Sequence, residues 1–230
     1  MIPLRDANPR LHRPPLVNVT LIAINVVVFL WEISLGPRLE PALYQYAFIP
    51  ARFWSAGGWT HDLLTMFLSM FLHGGWLHLG SNMLYLWIFG DNIEDQLGHG
   101  RYLLFYLLCG AAATMAHAVF NASSTLPSIG ASGAIAGVLG AYLLLFPRAR
   151  VHTLIPLGFF ITMSALPAIV VLGLWFVIQF FSGIASIGVS TAQTGGVAWF
   201  AHIGGFVAGL LLIRPLAIGA KVPARVADRR

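Results

Sequence analysis

Ser132 and His202 are the side chains of this sequence best suited to nucleophilic chemistry, and each lies near the start of an apolar run, residues 129–146 and 197–213. A serine hydroxyl is a weak nucleophile until a base takes its proton, and a neutral imidazole is the usual base. Such a pair attacks a carbonyl and returns the proton to a leaving amine, which is acyl-transfer chemistry. The oxyanion formed on the way needs donors already in place. Candidates are the backbone N–H of Ser132, the Asn82 amide and the His78 ring. His78 and Asn82 stand four apart in "HLGSN" and so share one helical face. A triad would add a carboxylate behind the histidine. The nearest acidic residues on the same side, Glu40 and Asp62, belong to a loop, so a Ser–His dyad is expected.

The surroundings explain why these residues stand out. Of the 230 residues, 58% are hydrophobic and only 9% are charged, with a mean hydropathy of +0.80. That composition belongs to a polytopic membrane protein and excludes an ordinary soluble domain. The basic residues cluster at the ends of apolar runs, which fits membrane orientation and not a nucleic-acid-binding face. The single cysteine, Cys109, is read as a small buried hydrophobe. An ionisable or strongly hydrogen-bonding side chain inside a span is costly, so each is a candidate for function. Those residues are Asn18, Asn25, Glu32, His78, Asn82, His117, Ser132, Gln179 and His202. His61, His73, His99 and His152 fall in loops or near span ends and read as ordinary interfacial groups. His117 reads as a structural bridge.

Six spans are expected, over residues 16–35, 77–89, 102–120, 129–146, 155–184 and 197–213. The fold class is all-α: a six-helix bundle with a long, partly helical first extracytoplasmic loop, in which "LLTMFLSMFL" forms an interfacial or re-entrant helix. Residues 1–15 form a cytoplasmic segment, 16–215 the membrane domain and 216–230 a basic cytoplasmic tail. With the N-terminus inside, eleven Lys and Arg fall on the inner side (Arg10, Arg13, Lys221, Arg225, Arg229 and Arg230 among them) and two, Arg38 and Arg52, on the outer. Both termini are therefore cytoplasmic, and a prokaryotic plasma membrane is the expected location.

Depth groups the candidates. At ~1.5 Å rise per residue, Ser132 lies ~24 Å, His78 ~20 Å, His202 ~18 Å and Asn82 ~14 Å above the inner ends of their helices. Four groups from three spans thus share the outer half of the bilayer. The fourth span is short, ~22 Å from Ser132 to its end against a hydrocarbon core of ~30 Å. Ser132 would then sit at a helix start on the floor of a wet pocket, since irregular backbone at depth must line water or be buried in protein. Gly133 and Gly137 form one small-residue stripe, and Ala201, Gly205 and Gly209 another, so the fourth and sixth spans can approach closely enough to join Ser132 to His202.

"GASGAIAG", followed by "AHIGG" in a later span and preceded by "HLGSN", resembles the rhomboid intramembrane serine proteases over most of the chain. The resemblance implies cleavage of peptide bonds in or near transmembrane helices, with single-span membrane proteins as substrates and the lipid bilayer as the medium. It maps Ser132 onto the nucleophile, His202 onto the base, His78 and Asn82 onto the oxyanion side, and Gly130 onto the glycine of the nucleophile motif. It also implies lateral substrate entry between the second and fifth spans, past Phe180 and Phe181. Two departures stand out. Ala136 replaces an aromatic residue four positions after the serine, leaving Trp199 or Phe200 to position the base. In the first loop "ARFW" separates Arg52 from Trp54, where many bacterial members carry a Trp-Arg pair.

Three other readings compete. A catalytically inactive rhomboid-like protein that binds membrane clients would be expected to have lost the serine or the base, and both are present. A zinc protease could draw on His73, His78, His117 and His202. It lacks a His-Glu-x-x-His pair and an acidic ligand at that depth, so no metal and no cofactor are expected. A channel or transporter would call for paired broken helices or charges within the spans. No nucleic-acid partner is expected.

Overall fold

The structure, a computed structural model, describes residues 1–8, 14–55, 57, 59–157, 160–187 and 197–219. Strand β1 (Ile2–Asp6) precedes helix α1 (Leu16–Ser34) and the shorter helices α2 (Leu39–Tyr46), α3 (Pro50–Phe53) and α4 (Trp59–Leu68). Then come α5 (Trp76–Leu97), α6 (His99–Phe120) and α7 (Ser132–Leu145). A hairpin of β2 (Arg150–Leu157) and β3 (Phe160–Pro167) leads to α8 (Ala168–Ala185) and α9 (Trp199–Ala217). Among the described residues, α1, α6, α8 and α9 are long and apolar enough to cross a membrane. The α4 segment and α5, which meet at an 84° bend, make a fifth span if counted together. At 14 residues, α7 is apolar but shorter. The basic residues Arg10, Arg13, Lys221, Arg225, Arg229 and Arg230 lie outside the described residues.

Helix α1 is amphipathic inside out. Its buried positions, Asn18, Leu21, Asn25, Phe29 and Glu32, recur at helical spacing and include its most polar side chains. Exposed Ile24, Val27, Leu30 and Ile33 cover the rest. A lipid-facing helix turns its polar stripe to the protein because hydrocarbon offers those groups no partners.

The centre of the bundle is α7, buried at every position from Gly133 to Tyr142. Its partner is α9, and the two backbones meet through glycine. A Cβ at Gly205 would lie 2.0 Å from the Gly133 carbonyl oxygen, and one at Gly209 1.9 Å from that of Gly137. From the other side, a Cβ at Gly140 would lie 2.3 Å from the Phe206 carbonyl oxygen. Alanine is already too large at these positions. The two small-residue stripes therefore face each other, one on each helix.

The chain is mostly helical, as expected for the bundle, and the structure adds a small sheet that the all-α expectation lacked. β1, β2 and β3 form an antiparallel sheet in that order, with Ile2 opposite Leu154, Arg150 opposite Pro167 and Leu157 opposite Phe160. It also corrects the fifth span, which begins at Ala168 and not at residue 155. The apolar stretch before it is rich in β-branched residues, and Pro156 and Pro167 cannot donate to a helical ladder. Pro167 biases Leu166 toward extended backbone and itself caps α8. Hydropathy alone merged strand and helix into one run. The cytoplasmic segment expected over residues 1–15 likewise contains strand β1.

Arg52 and Trp54 make structural bonds despite their unusual spacing. The Arg52 guanidinium donates to the buried Asp62 carboxylate, 2.9 Å from Nε, and to the carbonyls of Tyr44 and Ala47, each at 2.7 Å. The Trp54 indole N–H donates to the Ala118 carbonyl at 2.9 Å, tying the loop to α6.

Candidate active site

Ser132 is the first residue of α7, and His202 lies in the first turn of α9. The glycine seam brings these two helix starts together, with His202 Nε2 2.8 Å from Ser132 Oγ. The backbone leading into Ser132 turns at Gly130, whose φ of +119° favours glycine. Space forbids a side chain there as well, since a Cβ would lie 2.8 Å from the His78 ring. Because the helical ladder starts with Ile135 N–H donating to the Ala131 carbonyl, the Ser132 N–H precedes it and is one of the orphan donors of a helix start.

Two further donors come from α5. His78 Nδ1 accepts the Gly74 N–H at 3.3 Å, which leaves the ring proton on Nε2, the nitrogen that faces Gly130. Asn82 Nδ2 lies 3.1 Å from His73 Nε2. His73 in turn places Nδ1 3.2 Å from the Phe71 carbonyl, so Nδ1 carries the proton and Nε2 accepts from Asn82. One amide hydrogen of Asn82 is thereby held, and the other has no partner among the described residues. The His73 backbone N–H donates to the Glu32 carboxylate at 3.1 Å. That bond ties the turn before α5 to α1.

His78, Asn82, His117, Trp175, Ser132 and His202 line one cavity of about 690 Å³. His117 Nδ1 lies 3.3 Å from Nδ2 of Asn121, the residue just past the end of α6, and His117 also faces this cavity. The His202 ring is flanked by Trp175, with ring centroids 5.9 Å apart, and by Trp199 edge-on at 6.5 Å. Phe200, one of the two expected positioners, instead stacks on Phe120 at 4.1 Å. Gln179 Oε1 lies 2.6 Å from His202 Nδ1.

His73, expected to be an ordinary interfacial group, is 3% exposed and holds Asn82. The one available signal was the Gly74–Gly75 break within an apolar run, which marks a helix start. In the sequence Gln179 stands out only as a polar group within an apolar span. Its fourfold spacing from Trp175 puts the two on one face of α8, but their target could not be read from spacing alone.

A bundle of apolar, membrane-spanning helices with a serine and a histidine in contact at two half-buried helix starts defines a class of integral membrane proteins. The chain belongs to the rhomboid family, whose Rhomboid domain matches residues 60–218. It is 33% identical over 205 residues to rhomboid protease GluP of Bacillus subtilis, covering 89% of this chain and 35% of that protein. It is 29% identical over 197 residues to the mitochondrial Rhomboid protein 1 of Saccharomyces cerevisiae, covering 83% and 50%. It is 34% identical over 175 residues to the mitochondrial presenilin-associated rhomboid-like protein A of Danio rerio, covering 73% and 43%. The chain thus spans half or less of the length of these relatives.

Proposed function

We propose that this chain is an intramembrane serine protease that cuts single-span membrane proteins in or near their transmembrane helices. The observation that carries the reading is the 2.8 Å contact between Ser132 Oγ and His202 Nε2 at the floor of a cavity. Ser132 Oγ attacks the substrate carbonyl carbon as its proton passes to His202 Nε2. The carbonyl oxygen takes the negative charge among the Ser132 N–H, the His78 Nε2–H and the free Asn82 N–H. Collapse breaks the C–N bond, and His202 returns the proton to the leaving amine. Water then repeats the sequence on the acyl-serine, releasing the acid and restoring Ser132.

In this reading α7 is also a span, the fourth in chain order, and brings the four long helices and the bent α4–α5 unit to six. The Lys and Arg distribution supports an orientation with the sheet and both chain ends inside, which puts the cavity in the outer half of the bilayer. A helical substrate reaches it laterally between α5 and α8, where Tyr85 and Trp175 face the same space. Two of the relatives are mitochondrial by name and one is from a bacterium, so a mitochondrial or a bacterial membrane fits this reading.

The test is to incubate the purified chain and Ser132→Ala with a single-span substrate, alongside fluorophosphonate labelling. Cleavage and labelling by the wild-type chain only, with the cut in the outer half of the substrate helix, is the expected result. Equal cleavage by Ser132→Ala would overturn the reading. An intact substrate that co-purifies with an unlabelled wild-type chain would establish the inactive client-binding alternative instead.

A further inference from the structure

We propose that Gln179 is a positioning residue that fixes the tautomer of His202, doing with a neutral amide what a carboxylate does in a triad. The proposal rests on the protease reading, in which His202 Nε2 must accept the Ser132 proton. A neutral imidazole carries one proton, so an accepting Nε2 requires the proton on Nδ1. That Nδ1–H, on a half-buried ring turned toward α8, needs an acceptor. The Gln179 carboxamide oxygen stands 2.6 Å from it. The alternative tautomer would turn an Nε2–H toward Ser132 Oγ, and the serine could then not be deprotonated. One amide therefore decides whether the pair is competent.

The local sequence supports this assignment. Ala136, one turn along α7 from Ser132, supplies no ring to hold the base, and α8 supplies two groups in its place. Trp175 lies beside the imidazole and Gln179 one turn further on meets Nδ1, so one face of α8 sets both the position and the protonation of the ring. Gln179 is itself 8% exposed. A carboxylate here would be a buried charge in a low-dielectric layer, which is costly unless fully paired. A carboxamide fixes the tautomer without that charge.

The test combines nitrogen spectroscopy with kinetics on the full chain in bilayers. With 15N-labelled histidine, the His202 signals are identified by their loss in His202→Ala. In the wild-type chain they should report Nδ1–H with an unprotonated Nε2, and in Gln179→Leu a mixture with the other tautomer. Gln179→Leu should also lower kcat by on the order of ten- to a hundredfold at unchanged KM, part of the usual general-base contribution. Gln179→Glu keeps an acceptor oxygen at the same reach in either protonation state and should recover most of the wild-type rate, whereas a merely packing role would not distinguish Glu from Leu this way. An Nε2–H tautomer in the wild-type chain, or an unchanged tautomer and kcat in Gln179→Leu, would overturn the proposal even if the leucine variant alone folded poorly. The two readings fail separately. Absence of cleavage and of Ser132 labelling in the wild-type chain would remove the protease reading, while an Nδ1–H signal that depends on Gln179 would still stand.

Discussion

Polar groups gather at both ends of α7, and the two clusters are built differently. At its start, Ser132, His202, Gln179, His78, Asn82 and His73 are all neutral or can be, and several of their donors face a cavity. Toward its other end, the Tyr142 hydroxyl donates to the Asp6 carboxylate at 2.6 Å, joined by the Asn92 amide at 2.9 Å. Close by, the Glu94 carboxylate accepts the N–H groups of Val17 and Asn18 and meets His99 Nδ1 at 2.5 Å. There, donors end on carboxylates and the bonds tie β1, α1, α5, α6 and α7 to one another. The first cluster leaves hydrogen-bonding capacity aimed at a space, whereas the second commits it to the fold. Residue type does not separate them: Asn18 and Asn82 are both buried asparagines in apolar helices, yet Asn18 bonds Leu86 and Tyr102 while Asn82 keeps an N–H for the cavity.

The sharpest break between the clusters is chemical. Under the proposed function, Ser132→Ala and His202→Ala should each lower kcat/KM by on the order of a thousandfold or more, because a nucleophile and its base act as one unit. Their unfolding temperatures should stay near that of the wild-type chain. A comparable loss of kcat on mutating the Asp6 cluster would erase the distinction drawn here.

Next in size is the seam that joins the two reacting residues. Gly205→Ala places a Cβ where the Gly133 carbonyl oxygen stands and must separate α7 from α9. A displacement of ~1 Å between reacting groups costs on the order of a hundredfold in rate. Overpacking typically costs ~1–3 kcal/mol, so the variant is expected to purify folded and cleave poorly. Gly100→Ala, where an added Cβ meets nothing within 4 Å, is the control and should leave the rate unchanged. Normal cleavage by Gly205→Ala would mean that the seam does not set the Ser132–His202 distance.

Tyr142→Phe addresses the other end. It removes the hydroxyl shared with Asp6 and Asn8 and should cost about 1–3 kcal/mol of stability, as for a hydrogen bond to a charged acceptor. At temperatures where the variant is folded, kcat and KM should match the wild-type values. Steady-state kinetics beside thermal unfolding in the same detergent checks both.

These contrasts also mark what the sequence could convey. Ser132, His78, Asn82 and His202 could be grouped because depth in a membrane is linear in sequence: a fixed rise per residue measured from basic ends gives a layer. The glycine stripes were readable for the same reason, as fixed spacing on two helices. Rotation about a helix axis is not linear in that way, so nothing showed that Gln179 faces His202, that Phe200 turns to Phe120, or that His73 points inward. The hairpin before α8 was hidden by composition. Its apolar, β-branched residues read like a span, and only Pro156 and Pro167 argued against one. The strand in the N-terminal segment carries little pattern, and its pairing with β2 is a tertiary fact.

The smallest effect expected is on pH dependence, and it isolates the carboxylate at the foot of α7. Burial raises the Asp6 pKa above its ordinary value of 3.8, against the opposing bonds from Tyr142 and Asn92. A raised folded pKa means that the folded chain holds the proton after the unfolded chain has lost it. Asp6 therefore contributes stability that is fully present below about pH 3.8 and is lost as pH rises through the folded pKa. Asp6→Asn keeps the shape and an acceptor oxygen for Tyr142 but does not titrate. Measured against pH, the unfolding temperature of the wild-type chain should fall relative to Asp6→Asn on going upward from about pH 4. Every other carboxylate contributes equally to both chains, so the difference curve belongs to Asp6. A flat difference would mean that the bonds from Tyr142 and Asn92 balance burial, and a wild-type chain that gains on Asp6→Asn as pH rises would mean that they outweigh it, so that the brace at this end of α7 is held by charge and not in spite of it.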